Sequence, residues 1–333
     1  MSDSFAEELQ VALHAVRDAS AICQAVQAQI SPDSLEKKDR SPVTIADFAS
    51  QAAVCRAIGD AFPDDPIIAE EDSAFLRDPE NAEFLAKVQA AVSGRLGGCD
   101  AEQVLSWVDR GGASGYSPRF WTLDPIDGTK GFLRKEQYAV SLALIVDGVI
   151  QLGVLGCPNL PVAIGGQNGA LFSAIKGQGS RVQPLEPENA LPQVVRVNKT
   201  VNASEARVCE SVESGHSSHS DSAMIASKLG ITNDPVRLDS QAKYAVVARG
   251  EADIYLRLPT RKDYRERIWD HAGGVILVEE AGGRVSDVDG KPLDFTQGQA
   301  LEQNRGVIVA NANLHEQVMS VVQEVLDSGE STT

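Results

Sequence analysis

Apolar residues recur at three- and four-residue steps from the start of the chain: Phe5, Leu9, Leu13, Val16, Ala19, Cys23, Val26 and Ile30 form one face of a long helix. Ser31-Pro32 ends it, and the polar, mixed-charge stretch up to Val43 has the composition of a loop. Thr44 with Asp47 three residues later resembles a capping box and predicts a second helix through Ala53, Ala57 and Ile58. Phe62-Pro-Asp-Asp-Pro66 reads as a turn. Ile67-Ile68-Ala69 is a short buried strand that delivers Glu70, Glu71 and Asp72 at its end. Residues 80–110 read as a helix, and residues 111–117 as a Gly/Ser-rich loop.

The pattern then shifts to strands. Trp121, Leu123 and Ile126 mark one, and Pro125, which has no N–H to give a ladder, should end its pairing. Tyr138–Val146 and Val149–Leu155 flank Asp147-Gly148, a two-residue hairpin signal. Asn168-Gly169 and Lys176-Gly-Gln-Gly179 predict two further reversals. The first half is therefore expected to be α+β, with helices on an antiparallel sheet. The acidic, Pro-containing stretch from Pro184 to Pro192 is the candidate connector, giving domains 1–187 and 188–333. Strands at Val194–Val197, Arg207–Glu210, Val236–Leu238, Ala252–Leu258 and Val307–Ala310 alternate with helices at Ser220–Leu229, Ser240–Arg249 and Asp270–Ala281. Gly282-Gly283 stops the last of these, and Leu314, Val318, Val322 and Val325 line a C-terminal helix. That order predicts an α/β second domain, and 333 residues exceed the roughly 250–300 at which one core stops growing.

The chemistry concentrates in Trp121-Thr-Leu-Asp-Pro-Ile-Asp-Gly-Thr129. Two acids three residues apart are common on surfaces. Here Asp124 and Asp127 sit in an apolar strand, where charges need partners, and Gly128-Thr129 comes at once after them. Gly128 permits a tight turn, Thr129 can cap the next helix or turn, and the backbone N–H groups beside the acids can receive a phosphate. Hard divalent cations want oxygen ligands of this kind, and Mg²⁺ completes its shell with water and substrate phosphate.

A net charge of −17 argues against binding nucleic-acid polymers or anionic membrane surfaces, which attract basic stripes. An acidic chain that handles a phosphorylated small molecule needs cations at the site. The five cysteines form no C-x-x-C pair and read as free thiols in a reducing compartment. The N-terminus shows no secretory pattern, and the longest apolar stretch is broken by Asp147-Gly148, so a cytoplasmic protein is expected.

Asp124-Pro-Ile-Asp-Gly-Thr129 resembles the metal-binding signature of the lithium-sensitive, magnesium-dependent phosphatase superfamily that includes inositol monophosphatase. Trp269-Asp-His-Ala-Gly-Gly, running on to Gly283, resembles its second signature. With Glu70-Glu71 upstream, the likeness extends from Ser41 to about Val309. Lys130-Gly-Phe-Leu-Arg134, Gly215-His-Ser-Ser-His219 and Asp239-Ser-Gln-Ala-Lys-Tyr244 are similar to the branch of 3′(2′),5′-bisphosphate nucleotidases. Ala69 departs from the pattern, since many relatives have Gly before the paired glutamates.

The resemblance implies a layered αβαβα sandwich and hydrolysis of a 3′-phosphate from a nucleotide bisphosphate, with two to three Mg²⁺ ions. It implies metal ligation by Glu70, Asp124, Asp127, Asp270 and the Ile126 carbonyl, with Asp47 holding a third ion through water. Asp47 and Thr129 would form a proton relay, and Gly128 and Thr129 would hold the scissile phosphate. His216, Ser217, Ser240, Lys243 and Arg257 would contact the rest of the nucleotide. Without the resemblance, Lys243 on a helix reads as solvated and His216 as a surface residue. Arg257 in an apolar strand calls for a buried anion, and the run Arg261 to Arg267 reads as a solvated loop. Lithium inhibition and a monomeric state are further expectations. An inositol polyphosphate 1-phosphatase and a non-catalytic nucleotide or metal sensor remain the alternatives.

Overall fold

The computed structural model describes residues 4–30, 41–212, 219–259, 261 and 264–330. A helix over Ala6–Ala28 and another over Ser41–Ala61 lie side by side. Ala12, Val16 and Ala19 of the first and Ala46, Val54 and Ile58 of the second are buried together against one face of a sheet. The second helix begins earlier than the capping signal implied: Thr44 and Asp47 lie within it, not at its mouth. Two helices, Ala82–Leu96 and Ala101–Asp109, replace the single one expected, because Asp100 and Gln103 form a capping box that starts the second.

The sheet has seven strands in sequential order: β1 (Ile67–Ala69), β2 (Arg119–Asp127), β3 (Ala139–Val146), β4 (Val149–Pro161), β5 (Asn168–Ile175), β6 (Gly179–Pro184) and β7 (Gln193–Val194). Only β1 and β2 are parallel, and the rest is an antiparallel meander. The Asp147-Gly148 reversal joins β3 to β4 as expected, with φ of 51° and 75° at the two turn residues. Asn168-Gly169 is not a turn. Asn168 already pairs with Pro161, and the chain reverses upstream, where Gly166 N–H bonds the Ala163 carbonyl at 2.8 Å. The strand expected at Val194–Val197 is shorter and belongs to this first sheet, which therefore extends beyond residue 187.

The second sheet is mixed, in the order β11 (Gly283–Ser286), β12 (Val307–Asn311), β10 (Ile254–Arg257), β8 (Val208–Glu210), β9 (Val236–Arg237). Its strands alternate by face. Ile254, Leu256, Ile308 and Ala310 pack with the helices His219–Lys228 and His315–Glu330 on the outside. Tyr255, Val307 and Val309 turn inward. Between the two sheets lie the helices Ala242–Ala248 and Ala272–Glu280, apolar on both covered faces apart from Lys243 and the terminal Glu279-Glu280. They fit side by side because Gly274 has no side chain: a Cβ there would lie 2.3 Å from the Tyr244 ring. The result is helix, sheet, helix, sheet, helix, the expected αβαβα layering.

Candidate active site

The parallel pairing of β1 and β2 decides where the acids meet. Both strands run toward the same sheet edge, and Ala69 pairs with Leu123, so Glu70 leaves β1 level with Asp124. In a regular strand, residues three apart point to opposite faces. Pro125 breaks that rule. Pairing is regular up to Asp124–Ser141, shifts, and resumes at Asp127–Ala139. The ladder does not end at Pro125 as expected but bulges there, and both carboxylates come to line one cavity. Gly128, with φ 91°, then turns the chain into a short helix, Thr129–Leu133.

Asp270 arrives from the other half, at the end of the turn Ile268–Asp270 just ahead of the Ala272–Glu280 helix. The cavity, about 260 Å³, is lined by Glu70, Asp124, Ile126, Asp127, Gly128, Thr129 and Asp270. Ser240, Lys243 and Arg257 line the same cavity. Asp47 does not line it but lies buried behind it, close enough for its charge to act on Asp124. The Asp47 helix packs against the Thr129 turn, although among the described hydrogen bonds none joins the two residues. His216 and Ser217 lie outside the described residues.

The acids raise one another. Burial and the Glu71 and Asp127 charges hold Glu70 up at about 7. Burial and Asp127 likewise hold Asp270 at about 7. Asp124 is pushed well above the carboxylate range by burial and by Glu70, and Asp47 by burial, Glu71 and Glu70. Asp124 Oδ1 is buried without a hydrogen-bond partner. Crowded acids with an unsatisfied buried oxygen are the donor set that hard divalent cations require.

The lining from the second half is largely cationic and aromatic. Lys243 is buried, contrary to the solvated reading, because its whole helix lies between sheets. Its Nζ donates to the Ser240 carbonyl at 2.8 Å and lies 5.2 Å from the Tyr255 ring centroid. Burial pulls its ammonium below the ordinary value. The anion that Arg257 called for is Glu266: the guanidinium Nε lies 3.1 Å from both carboxylate oxygens. Glu266 belongs to the run read as a solvated loop, yet it is buried. Burial alone would raise its acid, but the His271 hydrogen bond and the Arg257 charge bring it down to about 2. His271 Nε2 is 3.2 Å from Glu266, and its Nδ1 is 2.7 Å from the Tyr244 hydroxyl. Glu266, Asp270 and His271 could together offer ligand atoms to a metal, but Arg257 and His271 already engage Glu266.

The sequence reading missed Gln241, whose backbone N–H donates to Asp127 Oδ2 at 2.5 Å and whose side-chain amide donates to the Trp269 carbonyl at 2.9 Å. One residue thus ties the Asp127 carboxylate to the turn bearing Asp270. Its position inside Asp239-Ser-Gln-Ala-Lys-Tyr244 was the available signal. The partner of Arg257 was likewise discoverable as the one acid among the cations of residues 264–267.

The inositol monophosphatase family profile matches residues 5–327. The chain belongs to the inositol monophosphatase family. It is 44% identical over 97% of its length to a protein of Emericella nidulans named 3′(2′),5′-bisphosphate nucleotidase, covering 99% of that chain. A protein of the same name from Schizosaccharomyces pombe is 45% identical, over 97% of this chain and 96% of the other. Among solved structures, the IMPase of Thermotoga maritima superposes with a TM-score of 0.64 at 20% identity, over 97% of this chain and 99% of that one. The inositol monophosphatase of Anabaena gives 0.63 at 23%, over 96% and 97%. Family and fold thus agree with the layering. Among the described residues no helix is long and apolar enough to cross a membrane.

Proposed function

We propose that the chain is a Mg²⁺-dependent phosphatase that removes the 3′-phosphate of adenosine 3′,5′-bisphosphate, leaving AMP. By the same chemistry it would convert 3′-phosphoadenosine 5′-phosphosulfate to adenosine 5′-phosphosulfate. The observation that carries the reading is the convergence of Glu70, Asp124, Asp127 and Asp270 with Lys243 and Arg257 in one cavity. The names of relatives 44–45% identical over nearly the whole chain support the nucleotide substrate.

The unpartnered Asp124 Oδ1 and the crowding of four acids fit divalent cations. Glu70, Asp124, Asp127, Asp270 and the Ile126 carbonyl would hold two of them, and Asp47 a third through water. Bound there, Mg²⁺ supplies a water made nucleophilic near neutral pH and stabilises the leaving alkoxide. The chain's residues do the rest. Gly128 and Thr129 offer backbone N–H groups to the scissile phosphate, and Thr129 orients the attacking water. A neutral Thr hydroxyl is too weak a base to act alone, so Thr129 passes its own proton to Asp47 as it takes one from the water. Lys243 and Ser240 face the phosphates, Arg257 faces the base or the 5′-phosphate, and Tyr255 and Tyr264 add aromatic surface on the same wall. His216 and Ser217 complete the nucleotide contacts in this reading.

Residues 1–187, together with strand β7 at Gln193–Val194, are proposed to carry the metal-binding strand ends, and the rest of the chain to bring Asp270 and the nucleotide wall. We read the protein as a cytoplasmic monomer. Release of phosphate from adenosine 3′,5′-bisphosphate and from an inositol bisphosphate, under the same Mg²⁺, tests the reading. Preference for the inositol compound would reassign it as an inositol polyphosphate 1-phosphatase. No Mg²⁺-dependent release from either would leave a non-catalytic sensor.

A further inference from the structure

We infer that Ser50 and Gln51 are positioning residues, through which one helix sets the separation of the two acid-bearing strand ends. The inference rests on the reading that Glu70, Asp124 and Asp127 hold cations. Strand β1 is a three-residue edge strand, and Glu70 and Glu71 lie beyond its end, where the ladder no longer fixes them. Gln51 takes the place of a neighbouring strand. Its Oε1 accepts the Glu71 N–H at 3.0 Å, and its Nε2 donates to the Glu71 carbonyl at 2.6 Å and to the Val108 carbonyl at 3.1 Å. An amide that accepts from one peptide group and donates to the same residue's carbonyl has a single orientation that works, so the contact is rigid as well as satisfied.

The adjacent residue holds the other end. Ser50 Oγ donates to the Pro125 carbonyl at 2.9 Å, at the point where β2 leaves its register between Asp124 and Asp127. Pro125 has no N–H, so this carbonyl is the backbone group through which the bulge can be gripped from the helix side. Ser50 and Gln51 are both 0% exposed, in a helix whose neighbouring positions are Ala49, Ala52, Ala53 and Val54. Burying a hydroxyl and an amide there is unfavourable unless both are bonded. Besides the bond to Val108, these bonds go to the backbone of Glu71, beside Glu70, and to the peptide unit between Asp124 and Asp127. Asp47, one turn earlier on the same helix, shares that face.

Mn²⁺ binding, followed without substrate by the electron paramagnetic resonance of the free ion, tests this on the whole chain. The comparison is of wild type, Ser50→Ala, Gln51→Leu and the double variant. Gln51→Leu is expected to weaken Mn²⁺ binding about tenfold, as loss of groups that orient ligands does. Ser50→Ala should weaken it roughly threefold, the equivalent of one neutral hydrogen bond. The double variant should fall short of the product of the two, because both contacts act on one separation. The KM for adenosine 3′,5′-bisphosphate at saturating Mg²⁺ should not move, which a general loss of structure would not spare. If Gln51→Leu does not fold, Ser50→Ala, a smaller change, decides. Folded variants that bind Mn²⁺ like wild type would overturn the inference, whatever their activity. Wild type that takes up no Mn²⁺ would overturn the metal-site reading instead.

Discussion

Gly128 and Ser240 meet where the two halves of the chain join: a Cβ on Gly128 would lie 2.9 Å from the Ser240 Cβ. Both residues have left-handed backbones, with φ of 91° and 66°. The contact lets the residue after Ser240, Gln241, direct its N–H onto the Asp127 carboxylate. An ion pair from Arg134 to Asp239, the residue before Ser240, holds the same turn from the other side. The lobe that carries the strand-end acids is thereby tied to the part of the cavity lined by Lys243 and Arg257.

Gly128→Ala tests how tight that tie must be. The new methyl meets Ser240 and imposes a left-handed backbone on an L side chain, a strain of about 1–2 kcal/mol. That strain is small against the roughly 5–15 kcal/mol typical of a folded protein, but the Ser240 turn must retreat. Turnover at saturating Mg²⁺ is expected to fall roughly 10²-fold, as displacements near 1 Å can produce. An unchanged kcat would mean that the site tolerates a looser seam.

The acid cluster predicts an unusual stability profile without metal. Glu70 and Asp270 ordinarily ionise near 4.5 and 3.8 but are held at about 7 in the folded chain. The folded state therefore binds these protons more tightly than the unfolded state does. Their contribution to stability is full below the ordinary values and is lost as pH rises toward about 7. Asp124 and Asp47, raised well above the ordinary range by burial and by neighbouring acids, add to the same loss. In EDTA, Tm should fall by several degrees, roughly 5 °C, between pH 5 and pH 8. Mg²⁺ should restore more at pH 8, where the acids are free to bind it, than at pH 5. A metal-free Tm that rises across this range would contradict the crowding.

Much of this architecture was legible because it obeys local rules. The first helix comes from its apolar stripe, and the β3–β4 hairpin from Asp147-Gly148. The illegible part depends on contacts distant in sequence. The Pro125 bulge turns two acids of odd spacing to one side, which strand periodicity forbids. Lys243 lies in a helix covered on both faces, where no amphipathic pattern separates inside from outside. Glu266 sits in a charged run whose composition signals solvent, and its pairing with Arg257 and His271, both outside that run, draws it inward. The Asp100–Gln103 capping box, by contrast, was a local signal that went unread.

Lys243→Met separates the nucleotide reading from a generic phosphatase. The variant keeps the length and the contact with Tyr255 but removes the charge and the donor to the Ser240 carbonyl. If Lys243 faces substrate phosphate, KM for adenosine 3′,5′-bisphosphate should rise by about tenfold or more, the worth of one charge-assisted hydrogen bond. The KM for a simple substrate such as p-nitrophenyl phosphate should change much less. Equal effects on both would confine Lys243 to holding the Ser240 turn.

Asp47→Asn addresses the least direct of the assignments, since Asp47 lies behind the cavity wall and no described hydrogen bond joins it to Thr129. The substitution keeps size and burial while removing the ability to accept a proton. Without metal it should raise Tm at pH 8, because one like charge beside Glu70 and Glu71 is gone. With saturating Mg²⁺ it should lower kcat by about 10²–10⁴-fold, the range for loss of a general base. KM should stay near its original value, since Asp47 touches no part of the nucleotide in this arrangement. The two measurements pull in opposite directions, which separates a catalytic role from a structural one. A higher Tm with unchanged kcat would leave Asp47 as a mere source of repulsion and return the proton transfer to another group.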